Sequence, residues 1–238
     1  MSSQKVYIDH LLQFSREQFD PVPKWISDNF TVIDGGVHTG GWSRNKLIVF
    51  EDGTYLELKR TWRRRDRSDC LKPQEGGRKN AEGVGVRWKI VKAGYTQGKS
   101  TPRDEFSPRG RTDAPFFCHD LTPRRRRVTF DLPSVTQHPS GVTGIDRIEV
   151  LVPRNKFCAY TDLYTSIVGA SPQEDEGRAE FKLSAPGILS LSGSPYIRPA
   201  ETEADEQFLR ENGVGISSLL LRSEIGESFS FPIAEYLQ

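Results

Sequence analysis

The 238-residue chain has little of several things, and each shortage removes a class of protein. Cysteine occurs three times, at Cys70, Cys118 and Cys158, with no Cys-x-x-Cys spacing. That argues against a disulfide framework and a zinc knuckle and predicts buried free thiols in a reducing compartment. No window approaches the roughly 18 apolar residues of a membrane span, and MSSQKVYIDH lacks the apolar centre of a secretory signal. The expectation is a cytoplasmic protein with no membrane partner. Net charge is nearly absent, Lys+Arg 33 against Asp+Glu 32, so no global electrostatic case for nucleic acid exists.

Chemical signatures are missing as well. There is no Gly-x-Ser-x-Gly elbow, His-Glu-x-x-His or dinucleotide fingerprint, which leaves serine hydrolase, zincin and nicotinamide oxidoreductase readings without support. Ala93–Ser100 fits a relaxed phosphate-loop pattern, but Thr101-Pro102-Arg103 leads into more loop where that motif needs a helix N-terminus.

What is there is periodicity. Val6, Ile8, His10, Leu12 and Phe14 alternate with mostly polar residues, which predicts a strand with His10 on its apolar face. Pro21 and Pro23 confine the following helix to about residues 23–29. A short strand is expected at Thr31–Ile33, then strands at Lys46–Phe50 and Thr54–Arg60 joined by Glu51-Asp52-Gly53, a good hairpin turn. Residues 61–82 and 92–113 are polar and read as loops. Between them Val84, Val86, Trp88 and Ile90 share one face of a strand, and Ala114–Leu121 forms another, followed by a basic connector, Thr122–Gln137. The runs Arg63–Arg67 and Arg124–Arg127 read as solvated surface, and His138-Pro139 as a rigid lead-in to the next strand.

The second half repeats this order. Gly144–Val152 resembles the opening strand, Lys156–Gly169 is helical in pattern, and Ala179–Leu183 with Gly187–Leu191 mirrors the hairpin. The expected fold is α+β: repeated βαβββ units forming curved mixed sheets around a cavity. Residues 1–137 make one unit with extra strands and long basic loops, and 138–238 a second, degenerate one, in one compact domain.

Ile8-Asp9-His10-Leu11, Gly35-Gly36 with His38, Ser43 with Asn45, Asp52-Gly53-Thr54-Tyr55-Leu56-Glu57-Leu58, Pro115-Phe116-Phe117 and His138-Pro139-Ser140-Gly141 resemble the glyoxalase-like group of the vicinal oxygen chelate superfamily. The resemblance implies a lyase, isomerase or dioxygenase acting on a small oxygen-bearing molecule, or a binding protein that sequesters one. It places metal-ligand roles on His10 and Glu57, for Zn, Fe, Mn or Ni. In the second copy Arg147 stands where His10 does and Ser190 where Glu57 does. Arginine has no lone pair to offer a metal. His119 would complete a two-His, one-carboxylate set with His10 and Glu57. The competing reading is metal-free, with His10 and Glu57 binding a polar ligand or acting as acid and base. A third makes His10 a buried structural histidine and pairs Glu57 with Arg147. The loop carrying His38, Trp42 and Asn45 would rim the cavity mouth, with Trp42 over an apolar ligand, Asn45 on a carbonyl, and Arg147 and Ser190 facing it from the second unit. A homodimer is compatible with this reading.

Overall fold

The computed structural model describes residues 6–15, 21–41, 43–61, 73–80, 82–92, 114–184, 186–187, 193–224, 226 and 228–231. Strand β1 (His10–Ser15) precedes helix α1 (Lys24–Asn29), then β2 (Ile33–Val37), β3 (Ser43–Val49) and β4 (Tyr55–Thr61). These strands form one sheet in the order β1-β4-β3-β2, with β1 parallel to β4. The β3–β4 turn is held by Asp52, whose Oδ1 accepts hydrogen bonds from the Thr54 amide at 2.9 Å and its hydroxyl at 2.5 Å. Gly53 takes φ +81, a conformation that side chains resist.

A second sheet follows: β5 (Gln74–Lys79), β6 (Gly85–Lys92) and β7 (Phe116–Asp120), in that order. It adjoins the first sheet where His38 bridges Arg78 and the Thr39 amide donates to the Gly77 carbonyl at 2.8 Å. The connector from 121 to 141 holds a 3-10 turn at Arg124–Arg126 and helix α2 (Pro133–Thr136).

The remaining chain gives β8 (Val142–Val152), α3 (Phe157–Val168), β9 (Gln173–Asp175), β10 (Arg178–Glu180), β11 (Ser194–Pro199), α4 (Glu203–Asn212), β12 (Gly215–Ser223) and β13 (Phe229–Phe231). Within the six-stranded sheet, β8-β11-β10-β9 reproduces the order of β1-β4-β3-β2, and β8 is parallel to β11. Strands β12 and β13 extend it on the other side of β8. The architecture is mixed α+β. No helix among the described residues is long and apolar enough to cross a membrane.

The main core joins both units: Ile8, Ile48, Phe50, Leu56 and Leu58 pack with Ile145, Ile148, Val150, Phe181 and Ile197. A smaller cluster, Leu47, Val49, Tyr55 and Val128, lies apart from it. Sheet alternation explains the division, because odd positions of β3 and β4 face away from the even ones.

Several expected boundaries shift. The first strand begins at His10 rather than Val6, Tyr7 making only an isolated bridge to Ser184. The strand expected at 31–33 runs instead through Gly35-Gly36, where a bulge opens opposite Asn45 and Gly36 takes φ +113. Strand β5 lies inside the expected loop 61–82. It is pinned by pairing with β6 rather than by apolar alternation. In the order β8-β11-β10-β9 the place of β4 is taken by Ser194–Pro199; of the expected strand Gly187–Leu191, residues 188–191 lie outside the described residues.

Candidate functional site

The face of the first sheet turned from the main core carries the polar groups. In β4, Leu56 and Leu58 enter the core while Tyr55 and Glu57 take the other side. His10 pairs in register with Tyr55 and stacks on its ring at 4.7 Å. Phe116 of β7 meets His10 edge-on at 5.4 Å, and Trp88 of β6 meets His38 at 5.7 Å. The β5-β6-β7 sheet therefore covers this face. Gly76 makes room for the covering indole, since a Cβ there would lie 2.5 Å from Trp88 Nε1.

Glu57 is central, its side chain 9% exposed. His10 Nε2 lies 3.6 Å from Oε2, and His38 Nε2 lies 3.7 Å from Oε1. Asn45 Nδ2 donates to Oε1 at 2.8 Å. Each imidazole is oriented from behind: His10 Nδ1 is 2.8 Å from Asp9 Oδ2, and His38 Nδ1 is 3.0 Å from the Ser43 hydroxyl. An ionised Asp9 accepts only, so the His10 proton resides on Nδ1 and leaves Nε2 to exchange protons on the Glu57 side.

Asp9 is ionised for a clear reason. Burial would raise its carboxyl, but the hydrogen bond and charge of His10, with Arg127 and Arg124, hold it well below the ordinary carboxylate value. Arg127 Nη1 and Nη2 each lie 3.0 Å from an Asp9 oxygen, Nε and Nη2 bind Asp120 at 2.6 and 2.9 Å, and Nη1 donates to the Tyr55 hydroxyl at 2.5 Å. Arg124 pairs with Asp9 and donates to the Gly53 carbonyl at 2.7 Å. Burial opposes the Arg127 charge, yet Tyr55, Asp120 and Asp9 drive its pKa upward, while burial pushes the Tyr55 hydroxyl well up and the Cys118 thiol up to about 12. The expectation of a solvated arginine run is thus corrected. Arg125 and Arg126 are exposed, but Arg124 and Arg127 turn inward to the Asp9 and Asp120 carboxylates. The cysteine expectation is corrected too: Cys158 is exposed and Cys118 half-buried, with Cys70 outside the described residues.

His10, Glu57, His38 and Asn45 lie together, but Asn45 is buried on β3 against Glu57 rather than in a loop at a cavity mouth. His119 is not among them. On β7, Phe116, Cys118 and Asp120 face the site, so His119 falls on the opposite, exposed side. Arg147 also stands apart, its guanidinium 4.7 Å over the Tyr196 ring. Register makes Tyr196 the counterpart of Glu57: Arg147 pairs with Ser194 as His10 pairs with Tyr55, and Tyr196 follows two residues on. Trp42 and Ser190 lie outside the described residues. The pairing of Glu57 with Arg147 is replaced by Asn45.

The donor set does not fit a metal. Among the described residues no three His, Cys, Asp or Glu side chains are grouped to hold one. The His10–Glu57–His119 set does not form, and His10 and His38 address different oxygens of Glu57 rather than converging on a shared point. Residues that sequence reasoning missed are Asp9, Arg78, Trp88 and Arg127. Asp9 carried a signal, its place beside His10, but Arg78 sits in a segment without apolar pattern.

No family model matches the chain, and no curated protein matches it. Among solved structures, the "Crystal Structure of a hypothetical protein from Staphylococcus aureus" is similar with a TM-score of 0.56 at 13% identity, over 82% of this chain and 87% of that one. At that identity the likeness concerns the fold alone.

Proposed function

We propose that the protein is a glyoxalase-like member of the vicinal oxygen chelate architecture, built from two βαβββ units, and that it performs acid–base chemistry on a small oxygen-bearing organic molecule. The matching order of β1-β4-β3-β2 and β8-β11-β10-β9 supports the architecture. The observation that carries the activity is the Asp9–His10–Glu57 line, in which a buried carboxylate orients an imidazole toward a second carboxylate. Glu57 is the base that takes a proton from carbon or hydroxyl. His10, its Nδ1–H held by Asp9, takes that proton from Glu57 at Nε2 and returns it to the oxygen on which charge develops. This is lyase or isomerase chemistry. Dioxygenase chemistry would call on a resident metal, for which the described side chains offer no grouped set.

A second reading, sequestration without turnover, is favoured by the Asn45 hydrogen bond, which fixes Glu57 as an acceptor. Incubation in D2O with a panel of small ketones, 2-oxo acids and hydroxy acids separates the two. Turnover predicts deuterium wash-in beside the carbonyl that disappears in Glu57→Gln; saturable binding with no exchange of any compound supports sequestration. Metal analysis of untagged protein belongs beside it, and a stoichiometric transition metal would overturn the metal-free form of the reading.

A further inference from the structure

Arg78 is 6% exposed, and its guanidinium is the buried charge that the network beneath the site does not neutralise. Asp9 and Asp120 engage Arg124 and Arg127. Arg78 Nη2 donates to the Arg127 carbonyl at 2.7 Å, and among the described residues no carboxylate forms an ion pair with Arg78. Burial lowers its pKa, and the groups acting on it from around are Tyr55, Glu57 and Arg127. The Tyr55 hydroxyl is already occupied by Arg127. Arg78 and Glu57 thus act on each other electrostatically across the site.

Its fork of five N–H groups has one neutral acceptor, and none of its nitrogens is both fully buried and unpartnered, so the remaining N–H groups stay open to a ligand. Strand pairing fixes its place: Arg78 bridges His38 in the backbone, and Gly36, without a side chain, lies beside its Nη1. The oxygen pair of a carboxylate or a phosphate is the complement of that fork, and the small oxygen-bearing organic molecule of the acid–base reading favours the carboxylate.

Resting on the acid–base reading of the same site, we infer that the ligand is a small carboxylic acid whose carboxylate is bound by Arg78, presenting its neighbouring oxygen-bearing carbon to His10 and Glu57. Arg78 is then a binding and specificity residue. It repels nothing and moves no proton; it selects anionic over neutral carbonyl compounds.

Isothermal titration of the full chain with oxalate, its uncharged diamide oxamide, and inorganic phosphate tests this. Oxalate is expected to bind about tenfold to a hundredfold more tightly than oxamide, as a charge-assisted pair requires. Arg78→Gln removes that preference and Arg78→Lys restores part of it. Equal affinity for oxalate and oxamide, no oxalate binding, or an unchanged preference in a folded Arg78→Gln overturns the inference; tighter binding of phosphate overturns the carboxylate assignment. The wild-type comparison decides even where Arg78→Gln does not fold. Glu57→Gln separates the two readings: it is expected to keep oxalate bound while abolishing exchange. Oxalate selectivity without exchange of any compound leaves the carboxylate site standing and removes the catalytic reading.

Discussion

Arg147 lies over Tyr196 at 4.7 Å in the register positions that hold His10 and Glu57 in the first unit. A cation on a ring thus occupies the place of an imidazole beside a carboxylate. Nearby, Arg198 binds Glu149 at 2.8 Å and Asp205 of α4 at 2.7 Å, so this face of the second unit is knitted to its covering helix. Arg147→Ala is expected to cost about 0.5–1 kcal/mol, typical of a partly exposed cation–π contact, with ligand binding unchanged. Urea denaturation beside ligand titration checks both halves. Loss of binding would mean that the second unit reaches the site after all.

Arg127, its side chain 4% exposed, ties Asp9, Asp120 and Tyr55 together. Arg127→Ala leaves buried carboxylates without their cation and is expected to destabilise by about 3–5 kcal/mol. An Arg127→Met, Asp120→Asn, Arg124→Met, Asp9→Asn quadruple variant should recover much of that in chemical denaturation, because neither an uncompensated carboxylate nor an uncompensated Arg124 remains. A quadruple variant as unstable as the single one would show that geometry, not charge balance, is what Arg127 provides.

Acid stability follows from Asp9. Its folded pKa is depressed, so its contribution is complete above the unfolded aspartate value of about 3.9 and is lost as pH falls through the lower folded value. Asp9→Asn should flatten the stability profile below about pH 4. The same variant removes the carboxylate behind His10, so ligand titrations near neutrality should weaken as well.

His138 gives a second pH dependence. Its Nδ1 accepts from the Thr31 amide at 3.1 Å, and its Nε2 lies 3.0 Å from the Val49 carbonyl, which suits the neutral ring protonated at Nε2. Burial lowers its pKa, against the pull of the Val49 carbonyl. The unfolded chain then takes up the proton first, so stability falls as pH drops below about 6.5 toward the folded value. Thermal melts from pH 7.5 to 5 should show this decline, and His138→Gln should remove it. The ring acts as a strut between α1 and β3 rather than as a ligand.

Gly35 lies against the site from below. A Cβ there would meet Asn45 Oδ1 at 2.2 Å and Leu47 at 3.1 Å. Gly35→Ala should cost about 1–3 kcal/mol through overpacking and disturb the Asn45–Glu57 hydrogen bond. Gly85→Ala, where nothing lies within 4 Å and, as at Gly35, no positive φ is involved, is the control. A Gly35→Ala protein with unaltered ligand binding would remove Asn45 from the site.

Period-2 alternation and the hairpin turn at Asp52-Gly53 made the strands of His10 and Glu57 legible, but not the His10 face: β1 begins at His10, and Ile8, expected beside it, enters the main core while His10 stacks on Tyr55 on the other side. His119 rests on the family resemblance and not on alternation, which sets it apart: its neighbour Cys118 faces inward and His119 is exposed. Arg78 was hidden because QEGGRK has no apolar rhythm and becomes a strand only by pairing with β6. The last strand of the second unit was mislocated because GILSL alternates well, while SPYIRP carries two prolines that ordinarily argue against a central strand. Pro195 is nevertheless accommodated, its carbonyl accepting from the Phe181 amide at 2.9 Å.

The covering sheet contributes few large buried apolar side chains, chiefly Val86 and Trp88, and is tied down largely by Arg78, Arg127 and the His38 bridge. Its hold is therefore local and ionic, while the two-unit core beneath is hydrocarbon. Such a layer opens as a unit of its own, so the amides of β5–β7 should exchange with solvent ahead of those of β8 and β12. A ligand anion seated on Arg78 would slow that exchange, making the arrival of the ligand readable from the far side of the sheet.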